Sequence, residues 1–146
     1  TEAHWRLSGW GTDSDRKALI EAVKNGTIDM ITSDHNPMDI EHKKMEFDMA
    51  KNGTIGLESA FGALLTVLPL EIVIEKLLAG KSIFKVVNPE IKEGNVANLS
   101  LFNPEGNWNF SKENILSKSK NSAFLGQEMK GKAYGVFNNK KLVLNK

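Results

Sequence analysis

A helix, a two-residue stop and a short apolar run, in immediate succession, constrain this chain more than any other feature. In residues 14–24, Ala18, Leu19, Ala22 and Val23 recur at helical spacing and share one expected face. Thr12 with Asp15 three residues on reads as a capping box with a shortened acid. Asn25-Gly26 supplies the stop, because glycine accepts the left-handed conformation that ends a helix. Residues 28–32, IDMIT, then read as a short strand. Helix, tight turn and strand form the repeating unit of α/β folds. The unit leaves Asp34 at the C-terminal exit of the strand.

The remainder divides in two. Residues 57–68 are apolar enough for a buried helix. Pro69 then opens a second helix carrying Ile72, Val73, Leu77 and Leu78, with a stop expected at Gly80. After Gly94 the pattern changes to short runs, ANLSLF, NWNF, GKAYGVF and KLVL, with Asn138-Asn139 as the hairpin turn between the last two. The expected class is therefore α/β. Residues 1–92 are dominated by helices, and residues 93–146 form a small β module.

Several function classes are excluded by what the chain contains. It has 146 residues, 40% apolar and 25% charged, enough for one core. The net charge of +1 offers no field for nucleic acid or a membrane surface. Lysines near Lys112, Lys118, Lys120, Lys130 and Lys132 are diluted by Glu113 and Glu128 and read as solvated loop. There are no cysteines, so disulfides, thiolate metal sites and cysteine nucleophiles drop out, and a cytosolic address fits. The longest apolar run is broken by Pro69 and charges and is too short to span a bilayer. No signal peptide opens the chain, and a start at Thr1 rather than Met fits an excised or processed piece.

Asp34 is the residue best placed for chemistry. In α/β sheets and barrels, reacting groups sit at the C-terminal ends of strands. A carboxylate there binds a metal or accepts a proton from a metal-bound water. SDHNP is also good turn chemistry, and on spacing alone Asp34 as a turn cap is the more ordinary role. His35 is open between ligand and structural donor. His42, in EHKK, reads as part of an exposed face, and His4 has no partner in sequence. Neither HxH nor HExxH occurs, so the chain carries no self-contained zinc motif. GTIGLE lacks a phosphate-loop fingerprint, no GxSxG elbow is present, and Trp5, Trp10 and Trp108 read as packing residues.

Taken in order, DRKALIEAVKNGTIDMITSDHNP, KNGTIGLES, IKEGNVANLSLFNP and SKNSAFLG with GKAYGVFNNKKLVL resemble the C-terminal part of a dihydroorotase, a metal-dependent amidohydrolase. The resemblance spans residues 12–146. It implies the incomplete C-terminal end of a (β/α)8 amidohydrolase barrel plus a small β subdomain. It also implies the reversible cyclisation of N-carbamoyl-L-aspartate to dihydroorotate, in pyrimidine synthesis, at two zinc ions. By resemblance Asp34 is both metal ligand and proton shuttle, and Asn52 and Gly53 hold the small-molecule substrate through backbone groups. Met38 falls where the family has a substrate-binding histidine, and Leu7 where it has an asparagine. Both departures weaken the expected substrate contacts.

The family's HxH pair, carboxylated lysine and two further histidines have no counterpart here. A complete barrel takes about 250 residues. The chain alone is therefore expected to be inactive and not to bind both zinc ions. The leading expectation is a piece of a working dihydroorotase, and the alternative is a degenerate, non-catalytic binding or assembly module. An uncovered barrel end calls for the missing barrel segment or for self-association, with no nucleic acid or membrane partner.

Overall fold

The computed structural model describes residues 12–46, 48–87 and 90–145. Expectations for His4, Trp5, Leu7 and Trp10 lie outside these. Helix α1, Asp13–Lys24, starts with the expected capping box: Asp15 N–H donates to Thr12 Oγ1, and Thr12 N–H donates to the Asp15 carboxylate at 2.6 Å. It ends where expected, with Gly26 at φ 83°. The face drawn from the sequence is buried only at its end. Val23 is buried and Ala22 half-buried, whereas Ala18 and Leu19 are exposed and Ile20 packs inward instead.

Residues 28–32 depart from expectation: among the described residues they pair with no strand. A strand is defined by a lateral ladder, and here the neighbours are helices. Ile28 N–H donates to Ala22 O and Ile31 N–H to Lys76 O, while both isoleucine side chains enter the helical core. Helix α2, Leu57–Leu65, matches the apolar run as far as a turn at residues 66–68. Helix α3, Leu70–Ile83, has Pro69 at its N-cap and runs through Gly80, stopping at Phe84. Glycine is tolerated within a helix at a modest cost, and Gly80 rests near Met30 without conflict.

The tail is a three-stranded antiparallel sheet in the order β1 (Leu99–Asn109), β2 (Glu128–Asn138), β3 (Lys141–Leu144). ANLSLF and NWNF, expected as two strands, join in β1 across an irregularity between Asn103 and Asn107. Gly131 of β2 faces that irregularity. A side chain there would meet Leu65 Cδ1 at 2.7 Å and Asn103 O at 2.9 Å, and the backbone has φ 68°. The β2–β3 turn is Asn139-Lys140, one residue later than expected. Both residues have positive φ, which matches the twist of a two-residue hairpin. Lys130 and Lys132 lie on β2 rather than in a loop, and Lys132 Nζ sits 5.8 Å from the centre of the Trp108 ring. Trp108 is the expected packing residue: it donates to Gly131 O and meets Phe110 edge-on.

Helix α2 joins two clusters of apolar side chains. On one side Leu64 and Leu65 pack with Val23, Leu68 and Val73. On the other Ala63 borders Ile55, Phe110, Ile115 and Met129. Gly62 allows close approach to the sheet, because a Cβ there would lie 3.0 Å from Met129 Cβ. The helical section and the β module are therefore packed on each other through α2.

Candidate functional site

Asp34 is exposed and has φ 42°. Left-handed backbone costs an ordinary residue roughly 1–2 kcal/mol, and Asp is among the few that visit it. Such a conformation persists when the flanking chain leaves no alternative, and here both flanks are fixed. Ser33 backbone packs on Gly56 so closely that a Cβ on Gly56 would lie 2.5 Å from Ser33 O. His35 Nδ1 accepts from the backbone N–H groups of Gly56 and Leu57, each at 3.2 Å. Asn36 N–H then donates to Thr54 O at 2.9 Å.

The next turn brings Met38 against Gly53. Gly53 is buried with φ 135°, and a side chain there would meet Asn36 O at 2.9 Å and Met38 Cγ at 3.0 Å. Both are anchored on the residues that follow β1. Ser119 Oγ donates to Met38 O, and Asn121 Nδ2 donates to Gly53 O, each at 2.9 Å. Thr54 Oγ1 donates to Asn121 O and accepts from Ala123 N–H. Asn52, beside Gly53, is exposed. Of the four residues singled out from sequence, Met38 and Gly53 are in contact, Asn52 adjoins Gly53, and Asp34 opens the turn that packs on it.

Three side chains here differ from, or go beyond, what the sequence led one to expect. His35 was read as a ligand or a donor, but its Nδ1 is an acceptor at a helix N-terminus. The clue was Gly56: a helix opening on glycine has no side chain of its own to cap it. Glu58 is the second. Its Oε1 accepts from Ser117 N–H at 2.9 Å, and its Oε2 is buried 3.8 Å from His35 Nδ1. Lys43 is the third, and it corrects the exposed face expected of EHKK. It is 8% exposed, its Nζ donates to Lys51 O at 2.7 Å, and burial holds its ammonium below the usual range. Lys51 N–H donates to His42 O, so the loop from His42 to Lys51 is closed on itself just before Asn52.

Zinc needs three or four donors. Among the described residues no group of three or more His, Asp or Glu could hold a metal ion. A shallow hollow of about 340 Å³, lined by Arg16, Lys17, Ile20, Glu21, Lys24 and Val67, does not include Asp34. Its cations are already paired, Arg16 and Lys17 with Asp13 and Lys24 with Glu21.

Helices packed on a small antiparallel sheet form a mixed α/β fold that matches part of the hydantoinases. The L-hydantoinase (dihydropyrimidinase) of Arthrobacter aurescens superposes with a TM-score of 0.80 at 23% identity, over 92% of this chain and 33% of that one. The D-hydantoinase of a Thermus species gives 0.78 at 23% identity, over 92% and 32%. No protein-family model matches the chain. In sequence, the dihydroorotase of Geobacter metallireducens is 38% identical over 128 residues, covering 84% of this chain and 30% of that protein. The dihydroorotase of Caldicellulosiruptor saccharolyticus is 40% identical, covering 90% and 32%. The chain is homologous to a part of the dihydroorotases and spans about a third of their length. Among the described residues no helix is long and apolar enough to cross a membrane.

Proposed function

We propose that this chain is the C-terminal portion of a dihydroorotase: the last units of its (β/α)8 barrel, residues 1–92, followed by a β subdomain, residues 93–146. The observation that carries the reading is Asp34, an exposed carboxylate in a left-handed turn whose two neighbours are both fixed on α2. A fixed, exposed carboxylate can take a proton and return it, the role that reversible amide ring closure needs. Asn52 and Gly53 contribute backbone groups to hold N-carbamoyl-L-aspartate or dihydroorotate. Gly53 is held in place for this by Asn121 Nδ2, which donates to its carbonyl, and by the close approach of Asn36 and Met38. The remaining metal donors belong to the rest of the barrel, which would also cover the exposed apolar surface of Phe84, Val86 and Val87. Without the rest of that donor set, the chain alone is inactive. The parent enzyme works in the cytoplasm on a small-molecule substrate.

Met38 favours a second reading. A thioether cannot donate a hydrogen bond to a substrate carboxylate, and its carbonyl is already engaged by Ser119. A non-catalytic assembly module would tolerate this. The deciding experiment replaces the homologous segment of the Geobacter dihydroorotase with this chain and follows dihydroorotate hydrolysis. The catalytic reading expects turnover that Asp34→Asn abolishes and Met38→His raises. A folded, zinc-loaded chimera without turnover, with or without Met38→His, would leave the module reading.

A further inference from the structure

We propose that His35 is a positioning residue for Asp34: by capping helix α2 from outside, its imidazole fixes the turn that presents the carboxylate. The bearing of this on catalysis rests on the dihydroorotase reading; the cap itself does not.

The start of α2 creates the demand. The first amide groups of a helix have no partner within it, and Gly56 at the N-cap has no side chain to supply one. His35, twenty-one residues earlier, places Nδ1 3.2 Å from both Gly56 N and Leu57 N. A ring nitrogen that receives two N–H groups offers its lone pair and carries no proton, so the proton of the neutral ring resides on Nε2. Glu58 does not compete for Nδ1. Its Oε2 lies 3.8 Å away, beyond hydrogen-bond length, and its Oε1 is occupied by Ser117 N–H.

The second observation is independent of the first. On the other side of Asp34, Ser33 packs its backbone against the same Gly56. The residues before and after Asp34 are thus fixed at one point, the first turn of α2. The single residue between two such anchors must reverse the chain, and Asp34 does so at φ 42°. Freeing His35 leaves the downstream flank held only from Asn36 onward, by its N–H to Thr54 O, and lets Asp34 relax toward ordinary backbone, moving its carboxylate out of register while the fold persists.

The test is nitrogen-15 and backbone NMR of the 146-residue chain, as wild type, His35→Ala and His35→Asn. In the wild type the His35 ring should show an unprotonated, hydrogen-bonded Nδ1 and a protonated Nε2. His35→Ala should speed amide exchange at Gly56 and Leu57 by about tenfold, the scale of a lost hydrogen bond. It should also move the Asp34 Cα and Cβ shifts toward ordinary backbone values. Asn, which retains an acceptor oxygen, should restore both in part. A wild-type Nδ1 that carries the proton overturns the proposal, even if His35→Ala fails to fold. So does a folded His35→Ala whose Asp34, Gly56 and Leu57 signals are unchanged. None of these signals depends on turnover, so an inactive chimera leaves this result standing.

Discussion

Two glycines with positive φ separate backbone strain from close packing. Gly26, at φ 83°, has nothing within 4 Å of where a Cβ would lie. Gly53, at φ 135°, would place a Cβ 2.9 Å from Asn36 O, 3.0 Å from Asn36 Nδ2 and 3.0 Å from Met38 Cγ. Gly26→Ala therefore meets the left-handed penalty alone, roughly 1–2 kcal/mol. Gly53→Ala meets a backbone region that only glycine adopts readily, about 1–3 kcal/mol. To this it adds overpacking against a carbonyl that cannot move aside, about 1–3 kcal/mol more. The sum is about 2–6 kcal/mol, large against the stability of a small domain. Urea unfolding of the two variants beside the wild type, followed by tryptophan fluorescence and circular dichroism, reads both values. A Gly53→Ala cost no greater than that of Gly26→Ala would refute the packing of the Asn36–Met38 turn on Gly53, and with it the geometry claimed for the candidate site.

Other expectations follow from the same structure. Thr12→Ala removes the capping box of α1 and should cost about 1 kcal/mol in urea melts. Met129→Ala empties a side chain that is 1% exposed between α2 and the sheet, and should cost about 2–5 kcal/mol. Lys43 gives a pH signature. Its folded pKa is lowered by burial, so between that value and 10.5 the unfolded chain binds more protons than the folded one. Stability should rise with pH through that window and be level in this respect below it. Urea melts across alkaline pH should show the rise in the wild type and its loss in Lys43→Met; matching slopes would contradict the burial.

Local sequence rules read this chain well where the partners are local. The Thr12 capping box and the Gly26 stop involve residues three or four apart, and the structure keeps them. The alternating tail reads as strands because the sheet is antiparallel and joined by a tight turn, although the hydrogen-bonded register moved the turn to Asn139-Lys140. Residues 28–32 failed as a strand because pairing is a property of neighbours, and Ile28 and Ile31 found helices. The candidate site was legible only as a set of residues, not as the contacts that hold them. Asp34, Met38, Asn52 and Gly53 were marked by turn chemistry and by resemblance. The parts that hold them were not, since His35 reaches Gly56 across 21 positions, Glu58 reaches Ser117 across 59, and Ser119 reaches Met38 across 81. Lys43 was misread because charge predicts exposure, while its amine found a carbonyl inside a closed loop.

The most direct measurement is zinc-edge anomalous diffraction from crystals of the dihydroorotase chimera. A metal peak is expected about 2.0–2.2 Å from an Asp34 carboxylate oxygen, with the Asp34 backbone still left-handed. Metal bound elsewhere in the barrel, with the Asp34 side chain turned away from it, would contradict the account.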